Sequence, residues 1–431
     1  MIIQFNFKNF NSFRDEGSLN MIATKNTELP SHVVEIGKNR ILKVAAIYGA
    51  NASGKSNIYA AYEYMTYLVL ESFKFGGEDM IKKNDKDAFP GSRPFLFDDS
   101  ENKPSMFEVF FVDNLDKTGK TYQYGFEVDD KEVVEEWLYV KAKTSKEYKT
   151  IFYRKKEEKL DLSGLGKGAE NIKISLGKEN LIVSLGAKLK IQKLKFVRDW
   201  FMKNEIVDFG DPFENLMRSR MLPPGFSDDK TVQEDIVRYI SSFDKSIKDF
   251  NIEKVDNEPE EEDSEEISLK IDSMHKGKNG KMVPIPLRKE SSGTLKMFAL
   301  YEPIINTIKY GGTLFIDELN ARLHPLLVRN IILSFLNPEI NISNAQLVFT
   351  THDIWQIQND FLRRDEIWFV EKDEETGASD LYSLADFVDE DGSKIRKDAA
   401  YAKNYLYGNY GAIPKLDTLD ILKGVTMRHG E

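Results

Sequence analysis

The chain has 431 residues, 41% hydrophobic and 30% charged, enough to bury a large core as one big domain with an insertion or as two domains. It has no cysteine, which excludes disulfides and thiolate metal sites and makes a reducing cytoplasm the expected home. A net charge of −11 argues against sequence-blind nucleic-acid binding by the whole surface, and no apolar run approaches the ~20 residues that span a bilayer, so no membrane partner is expected.

In chain order, Met1-Ile-Ile-Gln-Phe-Asn6 lacks the basic, apolar and cleavage segments of a leader peptide. Residues 2–8 alternate apolar and polar side chains, the pattern of a half-buried strand. Residues 41–48 read as one buried strand. A glycine-rich turn follows, then a helix over 55–74 with Ile58, Tyr62, Met65 and Val69 at helical spacing. Strands over 106–112, 122–128, 133–141 and 150–154, separated by turn residues such as Asp129-Asp130, predict an antiparallel sheet. Residues 155–265 are more charged and less regular, with helical patterns at 188–204 and 229–243. The acidic run Glu258–Glu266 reads as a solvated loop. Short strands near 267–273 and 281–287 precede a helix from Ser291 to Lys309. The apolar run 312–316 then opens an alternation of strand and helix to residue 371, the pattern of a parallel sheet.

Gly49-Ala50-Asn51-Ala52-Ser53-Gly54-Lys55-Ser56 fits G-x-x-x-x-G-K-[ST] and lies between a predicted strand and a predicted helix, with Asn57 just after it. Glycines let the backbone curl so that successive N–H groups face phosphate oxygens, and the helix start adds partial positive charge. Lys55 is expected to reach the β- and γ-phosphates and Ser56 to coordinate Mg²⁺. Asp317-Glu318 ends the apolar run, where a carboxylate would sit at the ligand-binding edge of a parallel sheet. Asp317 is the candidate partner for Mg²⁺ and Glu318 the candidate that polarises the attacking water. His352 follows the next strand, 346–349, at a place suited to sensing phosphate.

Glu290-Ser291-Ser292-Gly293-Thr294 precedes the next helix and resembles the signature loop of ABC ATPases, usually Leu-Ser-Gly-Gly-Gln. Ser291 and Gly293 match, whereas the first, third and fifth positions depart. A plain N-cap is the competing reading. Leu319–Pro325 resembles the loop that contacts the partner subunit in that family, and Thr350-Thr-His352-Asp353 its switch histidine. Asn9-Phe-Asn-Ser-Phe-Arg14 resembles the start of RecF- and SMC-like ATPases. Leu323-His-Pro325, Thr351-His-Asp353, Arg364-Asp-Glu-Ile-Trp-Phe-Val-Glu-Lys372 and Tyr405-Leu-Tyr-Gly-Asn-Tyr-Gly-Ala-Ile-Pro414 resemble the bacterial AAA15-type ATPases, which include RloA and AbiL-like proteins and are related to the OLD family.

That resemblance, nearly chain-long, implies an α/β fold: a P-loop ABC-type ATPase head of mixed sheet and helices plus an antiparallel sheet, with an inserted α+β lid. The lobes are expected at 1–154 and 286–431, with a lid or dimerisation region at 155–285. It implies ATP and Mg²⁺, and a homodimer or higher even oligomer in which Ser291, Ser292 and Gly293 of one copy complete the other's site. It further implies a role in phage defence through a separate, nuclease-like effector from the same operon. No Q-loop glutamine is found; by order of elements Leu181–Gly186 would occupy that place. Too few residues follow His352 for a Toprim nuclease fold. The alternatives are a DNA-repair ATPase of the RecF or SMC kind and a non-enzymatic scaffold clamped by ATP. Two basic stretches, Lys141–Lys156 with Tyr148, Phe152 and Tyr153, and Lys188–Lys203 with Trp200 and Phe201, are the candidates for a nucleic-acid track, against the plainer reading of solvated lysines.

Overall fold

The computed structural model describes residues 1–75, 89–114, 118–218, 221–255, 268–388 and 399–414. The acidic run 258–266 lies outside them. In chain order the first half comprises β1 (Ile2–Lys8), β2 (Gly17–Asn20), β3 (Val33–Ile36), β4 (Asn39–Leu42), β5 (Val44–Gly49), α1 (Lys55–Glu71), β6 (Ser105–Val112), β7 (Thr121–Val128), β8 (Val133–Lys141), β9 (Lys149–Lys155), β10 (Lys159–Asp161), α2 (Ala169–Ser175), α3 (Ile182–Lys188) and α4 (Gln192–Met202). It continues through β11 (Glu205–Asp208), α5 (Pro212–Arg218), α6 (Lys230–Ser241), β12 (Ile247–Val255), β13 (Ser268–Lys276), β14 (Met282–Pro286), α7 (Ser292–Tyr310), β15 (Thr313–Asp317), α8 (Pro325–Leu336), β16 (Gln346–Thr350), β17 (Ile367–Lys372), β18 (Ser379–Ser383) and α9 (Tyr401–Leu406).

The central sheet has the order β11-β15-β16-β5-β17-β18, parallel except for β18. Every residue of β5, β15 and β16 is buried, as expected of strands covered on both faces. Alternation divides β5 between two cores: Ala45 and Ile47 face α1 and the antiparallel sheet, whereas Val44, Ala46 and Tyr48 face the side of α7, α8 and α9. The second sheet, β10-β9-β8-β7-β6-β1-β2, is antiparallel throughout and lies across α1, α3 and α4. Gln346 joins the two sheets. Its Nε2 donates to Ile2 O (3.0 Å) and Leu42 O (2.9 Å), while its Oε1 accepts from Ile2 N at 2.6 Å.

Three expectations change. The strand expected over 41–48 is two strands in different sheets, β4 paired with β3 and β5 with β16 and β17. The region 155–285 does not stand apart as a unit. β10 extends the antiparallel sheet, α4 packs on α1 with Arg198 Nη2 donating to Leu70 O at 2.9 Å, and β11 edges the parallel sheet. Within it, α6 and β12 build a third core around Phe226, Ile236 and Phe250 that rests on Phe298 of α7. Finally, residues 181–186 enter a buried helix, α3, where Ser184 Oγ accepts from Phe73 N at 3.1 Å; the segment packs behind α1 rather than at the sheet edge.

Candidate phosphate-binding site

β5 ends at Gly49 and α1 starts at Lys55, so the reversal is made by five residues, with Ala52 and Gly54 at positive φ (61° and 111°). Both motif glycines are required by packing, and Gly54 by conformation as well. A Cβ on Gly49 would lie 2.5 Å from Val370 O and 2.6 Å from Ser53 Oγ. One on Gly54 would lie 2.5 Å from Ser379 Oγ and 2.7 Å from Ser12 Oγ. The loop is braced from behind by distant segments. Ser379 Oγ donates to Ser53 O (2.6 Å), Ser379 N to Ser12 O (2.7 Å), Asn57 Nδ2 to Ser12 Oγ (2.6 Å) and Asn11 Nδ2 to Asn57 Oδ1 (3.2 Å).

Lys55 is 6% exposed, and its Nζ donates to Gly49 O (2.9 Å) and Ala50 O (2.8 Å). Burial lowers its pKa to about 8, against the pull of Asp317 and Glu318. Ser53 Oγ is buried without a hydrogen-bond partner among the described residues. Ser56 is exposed on the first turn of α1.

The two acids are fixed by the neighbouring strand. Asp317, 2% exposed at the end of β15, accepts from Thr350 Oγ1, which itself accepts from Glu318 N at 2.9 Å. Glu318 adopts φ 52°, turning the chain out of the sheet at that point. Just beyond β16, Asn320 Oδ1 accepts from Thr351 Oγ1 (2.9 Å) and His352 N (3.2 Å). The His352 pKa is lowered, first by partial desolvation against the cleft and then by Lys55. Lys55, Asp317, Glu318 and His352 thus lie within electrostatic reach of one another at the carboxyl ends of β5, β15 and β16.

Asp208 was not singled out by the sequence reading. It ends β11 in register with Asp317, and its carboxyl is pushed up first by burial and then by Asp317. Its only sequence signal is the apolar pair Ile206-Val207 leading into an acid. Beside Gly49–Ser53 opens a hollow of about 1370 Å³, bordered by His352 and, farther out, by Phe97, Lys372, Leu406 and Ile413. Phe97 is 69% exposed, with Lys372 Nζ 5.7 Å from its ring.

Ser291, Ser292 and Gly293 do not line this hollow. Ser291 Oγ accepts from Thr294 N at 3.1 Å as the N-cap of α7, and the two serines are exposed. Glu290, the departure at the first signature position, bonds with Ser273 Oγ and with His275 Nε2 (2.6 Å) of β13. Three of the five rings of the candidate nucleic-acid track are withdrawn, while Tyr148 and Tyr153 stay half-buried. Phe152, Trp200 and Phe201 are buried, with Trp200 stacked on Phe111 at 4.2 Å. Several of its lysines are paired, Lys156 with Glu132 (2.7 Å), Lys195 with Asp199 and Lys203 with Asp113 (3.7 Å). No helix among the described residues is long and apolar enough to cross a membrane, and no cluster of three metal-binding side chains occurs among them.

A family model described as "AAA domain, putative AbiEii toxin, Type IV TA system" matches residues 44–354, more than half of the chain. Among solved structures, the Smc head bound to the C-winged helix domain of ScpA is 15% identical at a TM-score of 0.45, covering 89% of this chain and 97% of that one. No curated protein matches the chain significantly.

Proposed function

From the premise that the chain belongs to this AAA-domain family of P-loop ATPases, we propose that it hydrolyses ATP at the Gly49–Asn57 loop and that two copies close on the nucleotide. The observation that supports this best is the Thr350 side chain. It holds Asp317 and the Glu318 backbone together at the sheet edge, within reach of Lys55.

In this reading the backbone of Gly49, Ala50, Asn51, Ala52, Ser53 and Gly54 cradles the phosphates, with Asn57 holding the loop from behind. Lys55 exchanges its two loop carbonyls for phosphate oxygens. The oxygen donors of Ser56 and Asp317 suit a hard divalent cation, so these two would hold Mg²⁺, which when bound neutralises phosphate charge. Glu318 accepts a proton from the attacking water and orients it. His352, held neutral by its lowered pKa, donates toward the terminal phosphate. The rings and stems of Phe97, Leu406 and Ile413 offer the apolar wall that a base would need.

Ser291, Ser292 and Gly293 do not line the hollow beside the chain's own phosphate loop, and the two serines face solvent, which suits a role in completing the site of a second copy. Control of a separate nuclease-like effector in anti-phage defence is supported by the sequence resemblance alone. The first test is Glu318→Gln. ATP affinity should stay within about twofold while turnover falls on the order of 10²-fold or more; turnover equal to that of the unaltered protein would remove Glu318 from its role.

A further inference from the structure

Among the buried cations of the described residues, Lys296 bonds to the backbone of the acidic pair and has no task in the reading above. Lys296 lies five residues after Ser291, on the second turn of α7, and is 1% exposed. Its Nζ donates to Glu318 O (3.1 Å), Leu319 O (2.8 Å) and Ala321 O (2.9 Å). An ammonium has three N–H groups and no acceptor, so these three carbonyls satisfy it in full. The Phe209 ring covers it, its centroid 4.0 Å from Nζ. Phe209 is itself tied to the site, since its N donates to Asp317 O at 3.2 Å.

Such an arrangement is costly to keep for packing alone, because an apolar side chain would fill the same space without a buried charge. Burial lowers the Lys296 pKa to about 7, so the charge is held against a desolvation penalty. What the ammonium gathers is the turn after β15. There Glu318 and Arg322 both adopt left-handed backbone (φ 52° and 61°), a conformation disfavoured for residues with a side chain. Gly293, at the start of the same helix, meets the far end of that turn. A Cβ there would stand 3.2 Å from Arg322 O. One helix therefore presents Ser291–Gly293 at its tip and grips the Glu318 turn one step further in.

We propose that Lys296 is a positioning residue: it holds Glu318 in its working geometry and ties it rigidly to the helix that carries Ser291–Gly293. Engagement of that exposed loop by a nucleotide on a second copy would then be felt at Glu318 of the same chain, through three hydrogen bonds to one ammonium. This deepens the ATPase reading and rests on it.

The test compares Lys296→Met and Lys296→Arg with the unaltered chain, each also combined with Glu318→Gln, measuring ATP affinity, KM and kcat in the presence of Mg²⁺. Lys296→Met should leave affinity and KM within about threefold and lower kcat about tenfold or more, since a small displacement of a reacting group costs that much. Lys296→Arg, which keeps charge and donors, should recover part of the loss. In the Glu318→Gln background, Lys296→Met should change the residual turnover by less than about twofold, because two residues that act as one are not additive. Should Lys296→Met fail to fold, the Arg variant carries the same cycle, with a smaller kcat loss that vanishes beside Glu318→Gln. An unchanged kcat, or a loss of equal size in both backgrounds, overturns the role of Lys296 while leaving the ATPase reading intact. Normal turnover in Glu318→Gln alone overturns both.

Discussion

At the scale of single residues, the phosphate loop is a case of charge held ready. Lys55 is buried against two loop carbonyls, with its pKa lowered to about 8. A phosphate beside it would raise that pKa, so the nucleotide complex binds more protons than the free protein at pH above 8. Affinity is then complete below about 8 and declines as pH rises through it, reaching about tenfold weaker one unit higher. Titration calorimetry in buffers of different ionisation heat should show proton uptake at about pH 8.5; an affinity that is flat from neutral to alkaline pH would separate the Lys55 charge from binding. The glycines test the loop's shape rather than its charge. Gly54→Ala places a Cβ at φ 111° and 2.5 Å from Ser379 Oγ. It should weaken ATP binding by about tenfold or more, through strain of about 1–2 kcal/mol plus a displaced serine, as read by nucleotide titration.

At the scale of elements, the site depends on strands that meet only in three dimensions. Asp317, Glu318 and His352 come together because β15 and β16 are parallel neighbours, and Lys55 joins them because β5 lies on the other side of β16. The seam between that sheet and the antiparallel one runs through Gln346, which is fully buried and holds both polar groups of Ile2. Gln346→Leu would orphan Ile2 N, Ile2 O and one bond to Leu42 O. The expected loss is about 3 kcal/mol or more, seen as a lower thermal unfolding midpoint. Gln346→Glu keeps the acceptor for Ile2 N but sets a carboxyl group against Ile2 O and Leu42 O in a buried position, and should lose at least as much. The β12–β14 sheet reaches the site differently, through the bonds of Ser273 and His275 to Glu290. This gives the departure at the first signature position a structural account, since a leucine there would remove the carboxylate that His275 Nε2 meets at 2.6 Å, leaving it only the Ser273 hydroxyl at 3.3 Å.

At the scale of the molecule, the phosphate loop and Ser291–Gly293 do not share a cavity within one chain. The reading with two copies therefore makes a strong demand on mass in solution. With Glu318→Gln to retain the nucleotide, ATP and Mg²⁺ should shift the protein from monomer toward dimer, and Ser291→Arg should abolish the shift while leaving ATP binding in place. A chain that stays monomeric with ATP bound would end the proposal that two copies share their sites. The acidic balance of the whole chain, the buried state of Trp200 and Phe201, and the pairing of several lysines point away from a broad nucleic-acid track.

What the sequence determined by itself is what local physics controls. A buried strand, a glycine turn and a helix start are specified by neighbouring residues, so Gly49–Asn57 could be placed on its elements, as could Asp317-Glu318 and His352 at strand ends. The N-cap at Ser291 was equally local. Only the tertiary structure decided which strands adjoin. The partners of Thr350, the register of Asp208 with Asp317, the bracing of Gly54 by Ser12 and Ser379, and the grip of Lys296 on the Glu318 turn join segments far apart in the chain. Such contacts are chosen by the burial of several cores at once and by the pairing of most buried polar groups, conditions that no stretch of sequence meets alone.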